Sequence, residues 1–129
     1  MKIILTICTA NKDASTDLLP AKKRYLSNRI KIVDQIAQKE NLPFYILSGK
    51  FGIIKADKPI PWYDKQLKQE NTEALLPVII DQLKQEKITE IVFYGKSKDE
   101  KGWIAYHEVL ERATRDLNIQ IKKNILKNY

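Results

Sequence analysis

"KIILTIC", residues 2–8, is β-branched or apolar at positions of both parities. A strand with one wet face alternates polar and apolar residues, so this run reads as a strand covered on both faces. Two-sided strands in small domains belong to parallel sheets with helices packed above and below, and this reading decides the fold class. "FYILS", 44–48, and "EIVFYG", 90–95, are predicted as further strands of the same sheet. "IQIKKNIL", 119–126, supplies a fourth and more exposed one.

Helical patterns alternate with these runs. Ala21, Tyr25, Leu26, Ile30, Val33, Ile36 and Ala37 carry three-and-four spacing from Pro20 to a stop at Asn41-Leu42-Pro43. Leu75, Leu76, Ile79, Ile80 and Leu83 repeat the pattern, with Asn71 or Thr72 as cap and Pro77 in the early turns, where proline does least harm. Trp103, Tyr106, His107, Leu110, Ala113, Thr114 and Leu117 form the last helix. Residues 51–64 break every period and are predicted as a long ordered loop. The order β-α-β-α-β-α-β predicts a single three-layer α/β/α domain over residues 1–129, Rossmann-like, with a mostly parallel sheet of about four strands.

The bulk properties agree. A chain of 129 residues buries roughly 70% of its unfolded surface behind one core. Hydrophobic residues at 43% and charged residues at 30% exclude intrinsic disorder. The formal charge of +7 favours anionic partners such as nucleic acid, nucleotides or sugar phosphates. The lysines are spread along the chain, so a merely solvated surface explains the charge equally well. Cys8 and His107 are the single cysteine and histidine, which precludes an internal disulfide and a Cys/His zinc site and fits a reducing cytoplasm. The opening residues are slightly like a secretory leader, but their apolar run is interrupted and shorter than the roughly 7–15 residues such a region needs. No stretch approaches the roughly 18 apolar residues of a membrane helix.

Three predicted strands end alike. "CTANK", "SGKFG" and "GKSKDE" bring Lys12, Lys50 and Lys96 within a few residues of a strand end. In a parallel sheet these lysines share the edge where ligands bind, and small residues there admit backbone N–H groups to an anion. Gly49, Gly52 and Gly95 equally suit tight turns with solvated lysines. Neither Gly-Lys pair is a Walker loop, because Phe44 and Glu90 stand where that motif needs its first glycine. Ser97 and Glu100 also read as a capping box, which competes with a binding role for Lys96. Cys8 reads as a small inert core thiol or as a nucleophile. His107 reads as a partly buried structural residue or a surface one. "PIPWYD", 59–64, offers Trp62 and Tyr63 as stacking surfaces and Asp64 as acid or base, or else as anchors and cap of the loop.

"ILSGKFGIIKADKPIPWYD" resembles the pattern Ile-Leu-Ser-Ala-Lys-Tyr/His-Gly-Leu followed by Pro-Tyr-Asp of an uncharacterised bacterial and phage α/β domain family, distantly similar to the peroxide-stress protein YaaA. Cys8 and Lys12 match a Cys-x-x-x-Lys element, and Tyr25 and Ser27 take the places of the Tyr and Ser in an Ala-x-x-Leu-Tyr-x-Ser helix. Gly49 and Arg24 depart from the alanine and leucine commoner there. The resemblance implies an α/β domain tied to nucleic-acid or nucleobase metabolism.

Together these readings lead to an expected strand-end pocket for an anionic nucleotide, nucleobase or nucleic-acid ligand. Lys12 and Lys50 hold phosphate or developing charge, Ser48 donates a hydrogen bond, Tyr63 stacks, and Asp64 with Lys50 carries any catalytic step on a base or glycosidic bond. Cys8, Tyr25, Ser27, Gly49 and Gly52 complete the ligand-binding set. The rival is a non-catalytic basic DNA- or RNA-binding module. No metal, cofactor or oligomeric state is assigned.

Overall fold

The computed structural model describes residues 1–127. The chain runs β1 (Lys2–Ile7), β2 (Leu19–Pro20), α1 (Ala21–Arg24), α2 (Asn28–Glu40), β3 (Phe44–Ser48), β4 (Gly52–Lys55), β5 (Pro59–Ile60), α3 (Thr72–Gln85), β6 (Glu90–Gly95), α4 (Ile104–Asp116) and β7 (Gln120–Ile125). It is an α/β fold with four helices and a mixed, mostly parallel five-stranded sheet in the order β4-β3-β1-β6-β7. β1 pairs in parallel with β3 and β6, and β6 with β7; β4 runs antiparallel to β3.

The two-sided character of β1 is fulfilled on both faces. Ile3, Leu5 and Ile7 join Ile91 and Phe93 under Ile79 of α3 and Val109, Leu110 and Ala113 of α4. Ile4 packs with Val33 and Ala37 of α2. A third cluster, Ala21, Tyr25, Ile30, Ile46, Ile54, Ile60 and Tyr63, ties α1 and β5 to the flank of the sheet. Each such aliphatic side chain contributes about 1.5–3 kcal/mol by leaving water. No described helix is long and apolar enough to cross a membrane.

The predicted loop over 51–64 is partly structured, which raises the strand count from four to five. Ser48 lies opposite Gly52 across a three-residue turn, and Gly52 takes φ +75°, the left-handed conformation that closes such hairpins. Gln82 of α3 locks the turn: its Oε1 accepts the Ile53 N–H at 2.7 Å and its Nε2 donates to the Phe51 carbonyl at 2.8 Å. A Cβ on Gly52 would stand 2.3 Å from that Oε1. Gly52→Ala is therefore expected to cost about 2–3 kcal/mol, from left-handed strain together with the displaced clamp. A lower urea midpoint at unchanged m-value is the expected readout; a midpoint equal to wild type would show that Gln82 yields freely.

The predicted continuous helix from residue 21 is also corrected, since it breaks into α1 and α2. Tyr25 is extended and bridges to Lys12, while the Asp13 N–H bonds the Arg24 carbonyl and the Leu26 N–H bonds the Asn11 carbonyl. Helix resumes where the Ser27 hydroxyl accepts the Arg29 N–H at 3.1 Å. Pro59–Ile60 pairs with Leu19–Pro20 in a separate two-stranded sheet. Arg24, 0% exposed, stitches this corner together by donating to the carbonyls of Asp13, Ser15, Asp17 and Ile60 at 2.5–3.2 Å.

The expected caps also differ. No side-chain bond from Asn71 caps α3, and the Thr72 hydroxyl instead donates to the Gln69 carbonyl. Ser97 accepts the Asp99 N–H within a turn, whereas α4 begins only at Ile104, so Ser97 and Glu100 do not box that helix.

Candidate functional site

From β1 the chain passes to β3 on one side, and after α3 it returns to β6 on the other. The connections therefore diverge between the carboxyl ends of β1 and β6, where open α/β sheets form ligand crevices. A crevice of about 390 Å³ lies there. Its walls are Ile7 to Ala10 after β1, Leu26, Ser27 and Arg29 at the start of α2, Asp64 to Gln66, Lys96 after β6, and Lys101 to Trp103 before α4. The amino ends of two thirteen-residue helices thus meet at one opening.

Its charge is one-sided. Lys12, Arg29, Lys65, Lys96 and Lys101 line it against a single carboxylate, Asp64. Arg29 is 3% exposed and reaches beneath the end of β1. Its Nη1 donates to the Thr6 hydroxyl and the Ile7 carbonyl, both at 2.6 Å, and its Cζ stands 4.8 Å from the centre of the Trp103 ring. A guanidinium held in a low-dielectric wall projects more potential into a crevice than a solvated lysine does. Lys96 pairs with Glu100 at 3.1 Å, both partly in water, a contact worth little to stability.

Behind one wall runs a chain of hydroxyls. The Tyr63 hydroxyl lies 2.5 Å from that of Tyr25 and 2.9 Å from Ser48 Oγ. Ser48 Oγ accepts the N–H groups of Lys50 and Phe51, both at 3.1 Å, which leaves its own hydrogen to donate to Tyr63. Burial, and secondarily the nearby Cys8, pushes the Tyr25 phenol up to about 12 and Tyr63 further beyond the ordinary tyrosine range. Tyr106 accepts the Leu67 N–H at 3.2 Å and lies 3.6 Å from Cys8 Sγ; burial and the same thiol raise it too. At neutral pH these phenols are protonated scaffolding.

Of the expected site residues, Cys8, Lys12, Ser27 and Asp64 border the crevice. Ser48, Tyr25 and Tyr63 form the hydroxyl chain behind it. Tyr63 is 3% exposed, which corrects its expected role as a stacking surface; its neighbour Trp62 is the exposed ring, at 52%. Lys50 is absent from the lining, because β3 ends in a hairpin turn one strand away from the opening. Its Nζ lies 5.4 Å from the Phe51 ring centre and 5.8 Å from that of Tyr63, whereas Lys12 Nζ lies 4.6 Å from Tyr63. Gly49 and Gly52 belong to the same turn. A Cβ on Gly49 would come within 2.9 Å of the Leu67 backbone nitrogen and 3.0 Å of the Tyr106 hydroxyl, so its bareness admits the segment that carries residues 64–66.

Sequence reasoning missed Arg29, Lys65, Lys101 and Trp103. Arg29 had a readable signal, since it occupies a stripe position three residues after Leu26 and four before Val33. His107 supports Lys96 from behind. Its Nε2 donates to the Lys96 carbonyl at 2.8 Å, and its Nδ1 accepts from Lys123, which also meets Glu111. Burial, reinforced by the Lys123 ammonium, holds it below the ordinary histidine range, a neutral structural imidazole. Among the described residues, no three His, Cys, Asp or Glu side chains gather as a metal-binding group.

No curated protein and no solved structure matches the chain. A family model does match, from residue 3 to residue 125, a span that takes in all of β1 but its first residue, every wall of the crevice and β7, and the chain accordingly belongs to the family of unknown function DUF6884.

Proposed function

We propose that the crevice between β1 and β6 binds an anionic small molecule, with a nucleotide as the ligand class its size and charge suit best. The observation that carries this reading is the lining itself: five cationic side chains against one carboxylate, in a cavity of about 390 Å³ at the point where the strand connections diverge. Pockets of roughly 300–1,000 Å³ take ligands of that size. The layout fits a three-layer, Rossmann-like arrangement, in which the amino ends of α2 and α4 add favourable potential for an anion. The likeness to YaaA belongs to this reading as motif similarity alone. Asp64, the one carboxylate on the lining, is the candidate acid or base for any step on a bound base or glycosidic bond; the binding role stands without it.

The second reading is a basic DNA- or RNA-binding module, favoured by the net charge of +7 and the exposed Trp62. Thermal stabilisation separates the two. Wild type, Lys12→Ala, the double variant Lys96→Ala/Lys101→Ala and, as a control outside the crevice, Lys50→Ala are each heated with nucleotides, nucleosides and short oligonucleotides. A ligand at about 100 times its Kd stabilises by about 2.7 kcal/mol. Nucleotides are expected to raise the Tm of wild type and Lys50→Ala and to lose most of that effect on the crevice variants. Stabilisation only by oligonucleotides, equal across all four proteins and confined to low salt, would establish the second reading instead.

A further inference from the structure

Base-reading sites offer an open aromatic face or a set of unspent polar groups at the height of the base. The aromatic rings at this crevice are differently employed. Trp103 and Tyr106 are the rings on its lining. Trp103 carries the Arg29 guanidinium over its ring at 4.8 Å and has His107 packed against it at 6.1 Å. Tyr106 is 5% exposed, with its hydroxyl engaged by the Leu67 N–H. Tyr63, behind the wall, holds Lys12 over its face and meets Tyr25 and Phe51 edge-on. These rings orient cations or fill the core.

The cations have the opposite disposition. Lys12 follows β1, Arg29 opens α2, Lys65 sits on the connecting segment, and Lys96 and Lys101 follow β6. One phosphate at one helix start engages a cation or two. Here charge arrives from four segments and two helix starts around one cavity, an arrangement suited to several linked phosphates.

We propose that the site selects its ligand by phosphate number and is indifferent to the base, its ligand class being molecules with a diphosphate or triphosphate group. The inference rests on the anion-binding reading and deepens it. The phosphate chain lies between Lys12 and the Lys96/Lys101 side, over the field of Arg29. Whatever the chain is esterified to emerges past Leu26, whose exposed aliphatic surface supplies unselective contact.

The test is calorimetric titration of the full chain with inorganic phosphate, diphosphate and triphosphate, with adenosine, AMP, ADP and ATP, and with the other three common nucleoside triphosphates. Affinity is expected to rise about tenfold or more on going from one phosphate to two, as charged hydrogen bonds are added. Inorganic diphosphate should bind within about threefold of ADP, and the four triphosphates within about threefold of one another, the small spread expected of apolar contact without base readout. The folded double variant Lys96→Ala/Lys101→Ala should lose the gain from added phosphates. Equal affinity for one phosphate and for two, or a preference of more than about tenfold among bases, would overturn this inference and leave the anion site standing. Failure of every phosphorylated compound to bind removes the anion site and this inference together.

Discussion

Arg24→Met is expected to lower the stability of the fold by about 3–5 kcal/mol, because four buried backbone carbonyls lose their donor at about 1–3 kcal/mol each, offset in part by the relief of burying a cation. Methionine preserves most of the apolar volume, so the change isolates the guanidinium. That group has no access to water and satisfies four backbone carbonyls, those of Asp13, Ser15, Asp17 and Ile60. Exchanging a buried ion pair for apolar residues can be neutral when both partners are exchanged. Here the acceptors are main-chain oxygens that no substitution deletes, and they remain behind without a donor. Arg24 Nε is itself buried without a partner, so the cage is costly even in the wild type. For a chain of this size the loss corresponds to a Tm lower by about 10–20 °C. Urea denaturation measures it directly, and a decrease of less than about 1 kcal/mol would mean that water reaches those carbonyls as soon as the cation leaves.

Arg29→Met is expected to cost about 2–4 kcal/mol, because the Thr6 hydroxyl and the Ile7 carbonyl lose a charged donor and the Trp103 ring loses its cation. Unlike Arg24, this residue faces the crevice, so the same variant should also bind nucleotide more weakly. Arg29→Lys separates the two effects. Lysine restores a positive charge but cannot reproduce the planar fork, whose Nη1 donates to Thr6 and Ile7 while its Nη2 reaches the Cys8 carbonyl at 3.5 Å. It should therefore recover more of the binding than of the stability. Equal recovery of both would show that the charge alone matters, and a fully stable Arg29→Met would refute the structural role assigned to the fork.

The central strands were legible because β1, β3 and β6 carry apolar side chains at positions of both parities, a pattern that depends only on local sequence; both faces are buried in β1 and β3, whereas one face of β6 is half-buried. α3 and α4 were legible for the same kind of reason. β4 was not, because "GIIK" is four residues long and its partner is fixed by Gln82, thirty residues downstream of Gly52. The break between α1 and α2 was hidden as well. Ala21, Tyr25 and Ile30 fit one helical stripe, and the interruption comes from Asn11 and Asp13 pairing with Leu26 and Arg24. At the site, counting strand ends assembled the right kind of residue without showing which gap opens. Lys50 lies on the β3 side of β1, and the crevice opens on the β6 side, where Lys96 stands.

The central position of β1 has a consequence for the order in which the protein is made. β1 leaves the ribosome before either of its neighbours, and it needs β3, at residues 44–48, on one edge and β6, at residues 90–95, on the other. Until the second arrives, a nascent chain holds its most apolar strand with one hydrogen-bonding edge bare, the condition under which strands pair with the wrong neighbour. The edge that waits longer during synthesis is the one that later forms the floor between β1 and β6, so the crevice takes shape only once β6 and the residues leading into α4 have been added.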